Sequence, residues 1–154
     1  MDVFVYGTLT EPTRVREVLD SFAFVGAATL RGLRVVEGRY PTLAPPESVG
    51  EELADSAVTH AANGIDDAVG GRLLRTDEVD ALDAYERVDD DLYVRVSVPL
   101  FDPDGDRAGT VAVYVGDPDR LAADATWPGD GPFPRRVRRA VDELDVTVER
   151  QVGR

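Results

Sequence analysis

Six short runs of β-branched and aromatic residues, each cut off by glycine, proline or an acidic turn, constrain this chain more than any other feature. They cover residues 3–6, 22–30, 33–36, 69–74, 92–101 and 109–115. The first meets Gly7, so a buried strand ending in a tight loop is expected there. Gly32 divides the second run from the third. The last two are joined by Asp102-Pro103-Asp104-Gly105-Asp106-Arg107, a turn-rich sequence that predicts a hairpin. Helical spacing occurs over 12–19, where Val15, Val18 and Leu19 share a face behind Glu11 and Pro12, and again over 77–86 and 135–144. From 45 to 67 the pattern fades into a long acidic excursion assigned to no element. Strands outnumber helices, and only about two connections suit a parallel crossover. The expected fold is therefore α+β: a small mixed β-barrel or curled sheet with flanking helices, rather than a doubly wound parallel sheet.

A length of 154 residues fits a single domain spanning 1–154. Its charge is lopsided, with 30 acidic residues against 17 basic ones, all arginine, for a net −13. Such a balance opposes binding to nucleic acid or to an anionic membrane, both of which need clustered cations. Self-repulsion among surface carboxylates is screened in concentrated salt, so the chain reads as halophilic; the alternative is an acidic protein that is simply soluble. The absence of cysteine removes thiolate nucleophiles, disulfides and cysteine-ligated metals. With no signal-like start and no run of 18 apolar residues, a cytoplasmic location is expected.

The segment 77–86 carries the best candidate for proton transfer. Thr76 is expected to cap it, with Asp77 and Glu78 over the first turn. At about 100° per residue, Val79, Leu82 and Tyr85 form an apolar stripe centred on Leu82, and Glu86 falls about 40° from that centre. Asp77, Asp80 and Asp83 lie roughly 100° or more away and read as solvated charges. A carboxylate against apolar groups has its charged form disfavoured, which moves it toward neutral-pH proton transfer; alternatively Glu86 curls to solvent beside Arg87. The junction Tyr6-Gly7-Thr8-Leu9 is a second candidate. Glycine after a buried strand can expose consecutive N–H groups to an anionic group or a developing oxyanion, or can simply turn the chain.

Taken in order, these motifs resemble the γ-glutamylcyclotransferase-like superfamily, closest in style to its γ-glutamylamine cyclotransferase branch. Val3-Phe4-Val5-Tyr6-Gly7-Thr8-Leu9 is similar to the signature loop, Gly38-Arg39-Tyr40-Pro41 to a downstream aromatic-proline segment, and Val69-Gly70-Gly71-Arg72-Leu73-Leu74 to the strand before the catalytic helix. Leu82-Asp83-Ala84-Tyr85-Glu86 followed by Tyr93-Val94-Arg95 completes the pattern. The resemblance implies a barrel-like fold with a cavity, Tyr6, Gly7, Thr8 and Leu9 as the substrate-binding loop, and Glu86 as the catalytic acid–base. It further implies a cyclising transferase or lyase that releases 5-oxoproline from a small γ-glutamyl compound without metal or organic cofactor. A reading of a different class is a non-catalytic small-ligand binder on the same fold.

Other constellations point to structure. Asp102, Asp104 and Asp106 have the glycine and the twelfth position wrong for a calcium loop. His60 is the only histidine, so it supports neither a two-histidine metal site nor a triad. Arg135, Arg136, Arg138 and Arg139 read as a solvated helix face paired through Arg138–Asp142 and Arg139–Glu143, and Trp127 as a packing anchor. The charge reading is testable: raising salt from about 0.1 M to about 1 M shortens the Debye length from ~10 Å to ~3 Å, and the urea midpoint of unfolding is expected to climb. A flat response would remove the halophilic reading.

Overall fold

The computed structural model describes residues 1–39, 42–45, 68–123 and 125–151, with Thr8 and Leu9 described in main chain only. Tyr40-Pro41, His60 and the 45–67 excursion beyond Pro45 lie outside the described residues. The chain opens with β1 (Asp2–Val5), a 3-10 turn (Gly7–Thr10) and α1 (Pro12–Arg16), then β2 (Ala23–Arg31), β3 (Arg34–Val36) and β4 (Thr42–Ala44). It continues with β5 (Ala68–Arg75), α2 (Val79–Tyr85), a 3-10 turn (Val88–Asp90), β6 (Tyr93–Phe101), β7 (Arg107–Gly116), α3 (Phe133–Glu143) and β8 (Thr147–Arg150).

Six strands close into a barrel in the order β1-β5-β2-β8-β6-β7, with β7 returning to β1. The β7–β1 and β6–β8 pairings are parallel and the other four antiparallel, so the sheet is mixed, as expected. Closure removes the exposed edges that a short open sheet would present. β3 and β4 form a separate two-stranded sheet, which the Thr42 hydroxyl ties to the barrel by accepting the Gly116 N–H at 2.7 Å.

Strand alternation divides the apolar residues between the two faces of the barrel wall. On β6, Val94, Val96, Val98 and Leu100 join the cluster that also holds Phe4, Leu30 and Leu73, whereas Tyr93 belongs to a second cluster with Val3, Val5 and Tyr114. The second cluster is where Val15, Leu19 and Leu82 dock α1, its following turn and α2. α3 supplies Phe133, Val137, Ala140 and Val141 to the first cluster, alongside Trp127, which is only 1% exposed and is the packing anchor expected of it.

Several boundaries differ from the sequence expectation. α1 ends at Arg16 instead of residue 19, although the Leu19 N–H still reaches the Val15 carbonyl at 2.8 Å. α2 begins at Val79, with Glu78 at its N-cap. The Thr76 hydroxyl instead accepts the Glu78 N–H at 3.0 Å and donates to the Ser21 carbonyl at 2.8 Å, pinning the corner before the helix. Neither β4 nor β8 was expected. Each is very short, and β8 shows only Val148 buried inside a polar run. Of the arginine cluster, Arg139 pairs with Glu143 at 3.2 Å as its spacing predicts, while no ion pair joins Arg138 to Asp142. Arg136 is no solvated charge: half-buried, it donates to the Trp127 carbonyl at 3.2 Å. No helix among the described residues is long and apolar enough to cross a membrane.

Gly71 allows β5 to lie against β1. A Cβ at this position would meet the Val5 carbonyl oxygen and stand 2.7 Å from Phe4 Cζ. Neither a strand backbone nor a core aromatic ring can yield cheaply. Gly71→Ala is therefore expected to destabilise the fold by about 3 kcal/mol, read as a lower urea midpoint at unchanged slope.

Candidate active site

One rim of the barrel, where β1 and β7 end and β6 begins, gathers the residues that the sequence singled out. Gly7 leaves β1 with φ of +71°, a left-handed conformation that favours glycine, and starts the 3-10 turn through Thr8, Leu9 and Thr10. The turn is held twice. The Thr10 hydroxyl donates back to the Gly7 carbonyl at 2.6 Å, and Arg72 on β5 donates to the Thr10 carbonyl at 2.8 Å while its guanidinium lies 3.9 Å over the Phe24 ring. Tyr6 stacks on Phe4 with ring centroids 6.3 Å apart, and its hydroxyl donates to the Tyr114 carbonyl at 2.7 Å. Burial pushes the Tyr6 phenol well above its usual range, reinforced by Tyr93 and by the charge of Glu86. The structure thus brings Tyr6 and Glu86 within electrostatic reach of each other.

Glu86 follows the last residue of α2. Its N–H bonds the Leu82 carbonyl at 2.9 Å, and Arg87, left-handed at φ 56°, turns the chain out into the Val88–Asp90 turn. The half-buried Glu86 carboxyl is pushed up from 4.5 to about 7 by desolvation. Among the described residues no cation pairs with it. The adjacent Arg87 is engaged at 2.5 Å by Asp90, which Arg120 also binds. Both arginines hold the Asp90 carboxyl below its usual range, Arg120 foremost. Tyr85, expected in the apolar stripe, is instead 44% exposed, since the helix ends there and only Leu82 of that stripe is fully buried.

The periodicity missed a second carboxylate. Asp83, expected to be solvated, is half-buried and accepts the Tyr114 hydroxyl at 2.7 Å and Arg95 Nη1 at 3.0 and 3.2 Å. Burial and the charge of Asp83 hold the Tyr114 phenol above its usual range. Apolar periodicity cannot see a helix face that docks through polar contacts; the only trace was the Tyr93-x-Arg95 motif. Thr42 was missed as well; Tyr93, noted only within that motif, packs against Gly116, where a Cβ would lie 2.9 Å from the ring. Two clefts are formed by described residues alone. One of about 370 Å³ is lined by Asp83, Ala84, Arg87, Asp89 and Asp90; another of about 660 Å³ lies between β6 and α3 beside Arg95, Ser97, Arg138 and Asp142. Neither is lined by Tyr6 or Glu86. Among the described residues no three histidine, aspartate or glutamate side chains are grouped to hold a metal ion, and Asp102, Asp104 and Asp106 sit in the β6–β7 turn, where the Asp102 N–H bonds the Asp106 carbonyl at 2.9 Å.

A carboxyl with a pKa of about 7 can exchange a proton near neutrality. Comparisons with known proteins agree with the motif order. Solved structures with the same fold include an uncharacterised protein from Homo sapiens, 15% identical over 93% of this chain and 96% of that one, TM-score 0.56. A gamma-glutamyl cyclotransferase is 14% identical over 94% and 97%, TM-score 0.54. A protein from Arabidopsis thaliana is 25% identical over 93% and 84%, TM-score 0.51. No curated protein sequence matches. The family model described as gamma-glutamyl cyclotransferase, AIG2-like matches residues 3–129, well over half of the sequence, and the chain belongs to that family.

Proposed function

We propose that the protein releases 5-oxoproline from a small γ-glutamyl compound, with Glu86 as the acid–base and the Tyr6-Gly7-Thr8-Leu9 turn holding the γ-glutamyl group. The observation that carries this reading is the half-buried Glu86 carboxyl, pushed to about 7 by desolvation, with which no cation among the described residues pairs. In the proposed reaction Glu86 removes a proton from the substrate's α-ammonium. The freed amine attacks its own γ-carbonyl carbon, and N–H groups of the turn hold the resulting oxyanion. The bond to the departing amine then breaks as Glu86 returns the proton to that nitrogen, and the extra proton on the new ring nitrogen passes to the freed amine, giving the neutral lactam and an ammonium ion. Because the ring closure is intramolecular, orientation lowers the barrier and no enzyme nucleophile is needed.

Incubation with a panel of γ-glutamyl amines, γ-glutamyl amino acids and thiol dipeptides, scored for 5-oxoproline, tests this directly. Wild type is expected to turn over at least one of them, and Glu86→Gln to lose about 10²–10⁴-fold. The wild-type kcat/KM is expected to rise through an apparent pKa near 7, because the base must be deprotonated. No release by wild type, or equal release by Glu86→Gln, would leave the non-catalytic ligand binder as the better reading.

The same carboxyl affects stability independently of turnover. Its folded pKa, about 7, exceeds the ordinary 4.5, so the folded state binds the proton more tightly. That contribution is fully present below pH 4.5 and is lost as pH rises through 7. At pH 8, Glu86→Gln is expected to be more stable than wild type by on the order of 2 kcal/mol, partial exposure having been allowed for. The difference should shrink toward zero at pH 4, as measured by urea unfolding at both values.

A further inference from the structure

The orientation of α2 poses a mechanical problem. It has seven residues, too few to be stable alone, and only Leu82 is fully buried. Leu82, with the partly buried Ala81 beside it, is its apolar anchorage, and so narrow a contact resists roll about the helix axis poorly. The next residue, Asp83, supplies a second fixed point about 100° further round, through the Tyr114 hydroxyl at 2.7 Å and Arg95 at 3.0 Å. Glu86, about 40° from Leu82, falls inside the arc those two anchors bound. Tyr114 and Arg95 face each other across the β6–β7 register, so the second anchor sits on rigid sheet. Tyr114 also reaches the other half of the rim, since its carbonyl accepts the Tyr6 hydroxyl at 2.7 Å.

Building on the reading of Glu86 as the acid–base, we propose that Tyr114 is a positioning residue: its hydroxyl, with Arg95, locks Asp83 and so the roll of α2, while its carbonyl fixes Tyr6, setting the two halves of the rim against one another. Asp83, Arg95 and Tyr114 need not touch substrate. Their effect passes through the environment of Glu86, which lies within electrostatic reach of Tyr6, just after β1, and next to Arg87, itself occupied by Asp90.

The test is a ¹³C-edited NMR titration of glutamate carboxyls, with Glu86→Gln assigning the resonance. Tyr114→Phe removes the hydroxyl without changing charge, and is expected to lower the Glu86 midpoint by about one unit or more as the carboxyl gains solvent. Arg95→Met separates positioning from through-space electrostatics by sign. Loss of a nearby cation alone would raise a carboxylate pKa, whereas release of the helix lowers it. Val137→Ala, in α3, destabilises the fold elsewhere and is expected to leave the midpoint in place. An unmoved midpoint in Tyr114→Phe, or a rise in Arg95→Met, would overturn the inference; should Tyr114→Phe not fold, the sign in Arg95→Met decides. Because the readout is Glu86 itself, it stands whether or not 5-oxoproline is released. If turnover is found, Tyr114→Phe should lower kcat more than it changes KM, with its acidic limb shifted in step with the titration.

Discussion

A carboxylate taken out of water must either find a cation or change its affinity for the proton, and the rim of this barrel is organised around the second outcome at Glu86. A cation close by would return Glu86 to an ordinary acid. Among the described residues, Arg87 and Arg120 are engaged by Asp90, Arg95 by Asp83 and Arg72 by the Thr10 carbonyl. An excess of acidic residues makes this arrangement easy to reach, since each arginine has carboxylates to choose from. The overall charge and the local chemistry are linked in this limited sense.

The barrel supplies what Glu86 requires of its surroundings. Closure through the β7–β1 pairing places the ends of β1 and β7 beside the start of β6, so residues remote in sequence share one rim. Tyr6 and Tyr114 are 108 positions apart yet joined by a hydrogen bond. The long-range contacts that make such a topology slow to form also hold the rim to a defined geometry once it has formed.

Much of this was legible in the sequence, for identifiable reasons. Strands of eight to ten residues announce themselves through β-branched runs bounded by turns, and β5, β6 and β7 lie close to where the pattern placed them. Glu86 stood out because its angle to Leu82 is a property of the helix alone. Asp83 did not, because the reason it is held lies across the sheet in Arg95 and Tyr114, and periodicity within one helix carries no information about polar partners. Tyr85 was misplaced for a complementary reason. Periodicity places Tyr85 on the apolar face but does not say whether anything covers that face at the last residue of the helix, and there Tyr85 is exposed.

β8 has only four residues, as few as β1, and lies beyond residue 129, where the family match ends. It nevertheless joins β2 to β6, antiparallel to one and parallel to the other. As synthesis runs from the amino terminus, every other strand of the barrel leaves the ribosome before the one that closes it. Until then β2 and β6 have unpaired edges open to solvent or to a second nascent chain. The time needed to translate α3 and β8 is thus an interval in which the six-stranded barrel cannot close.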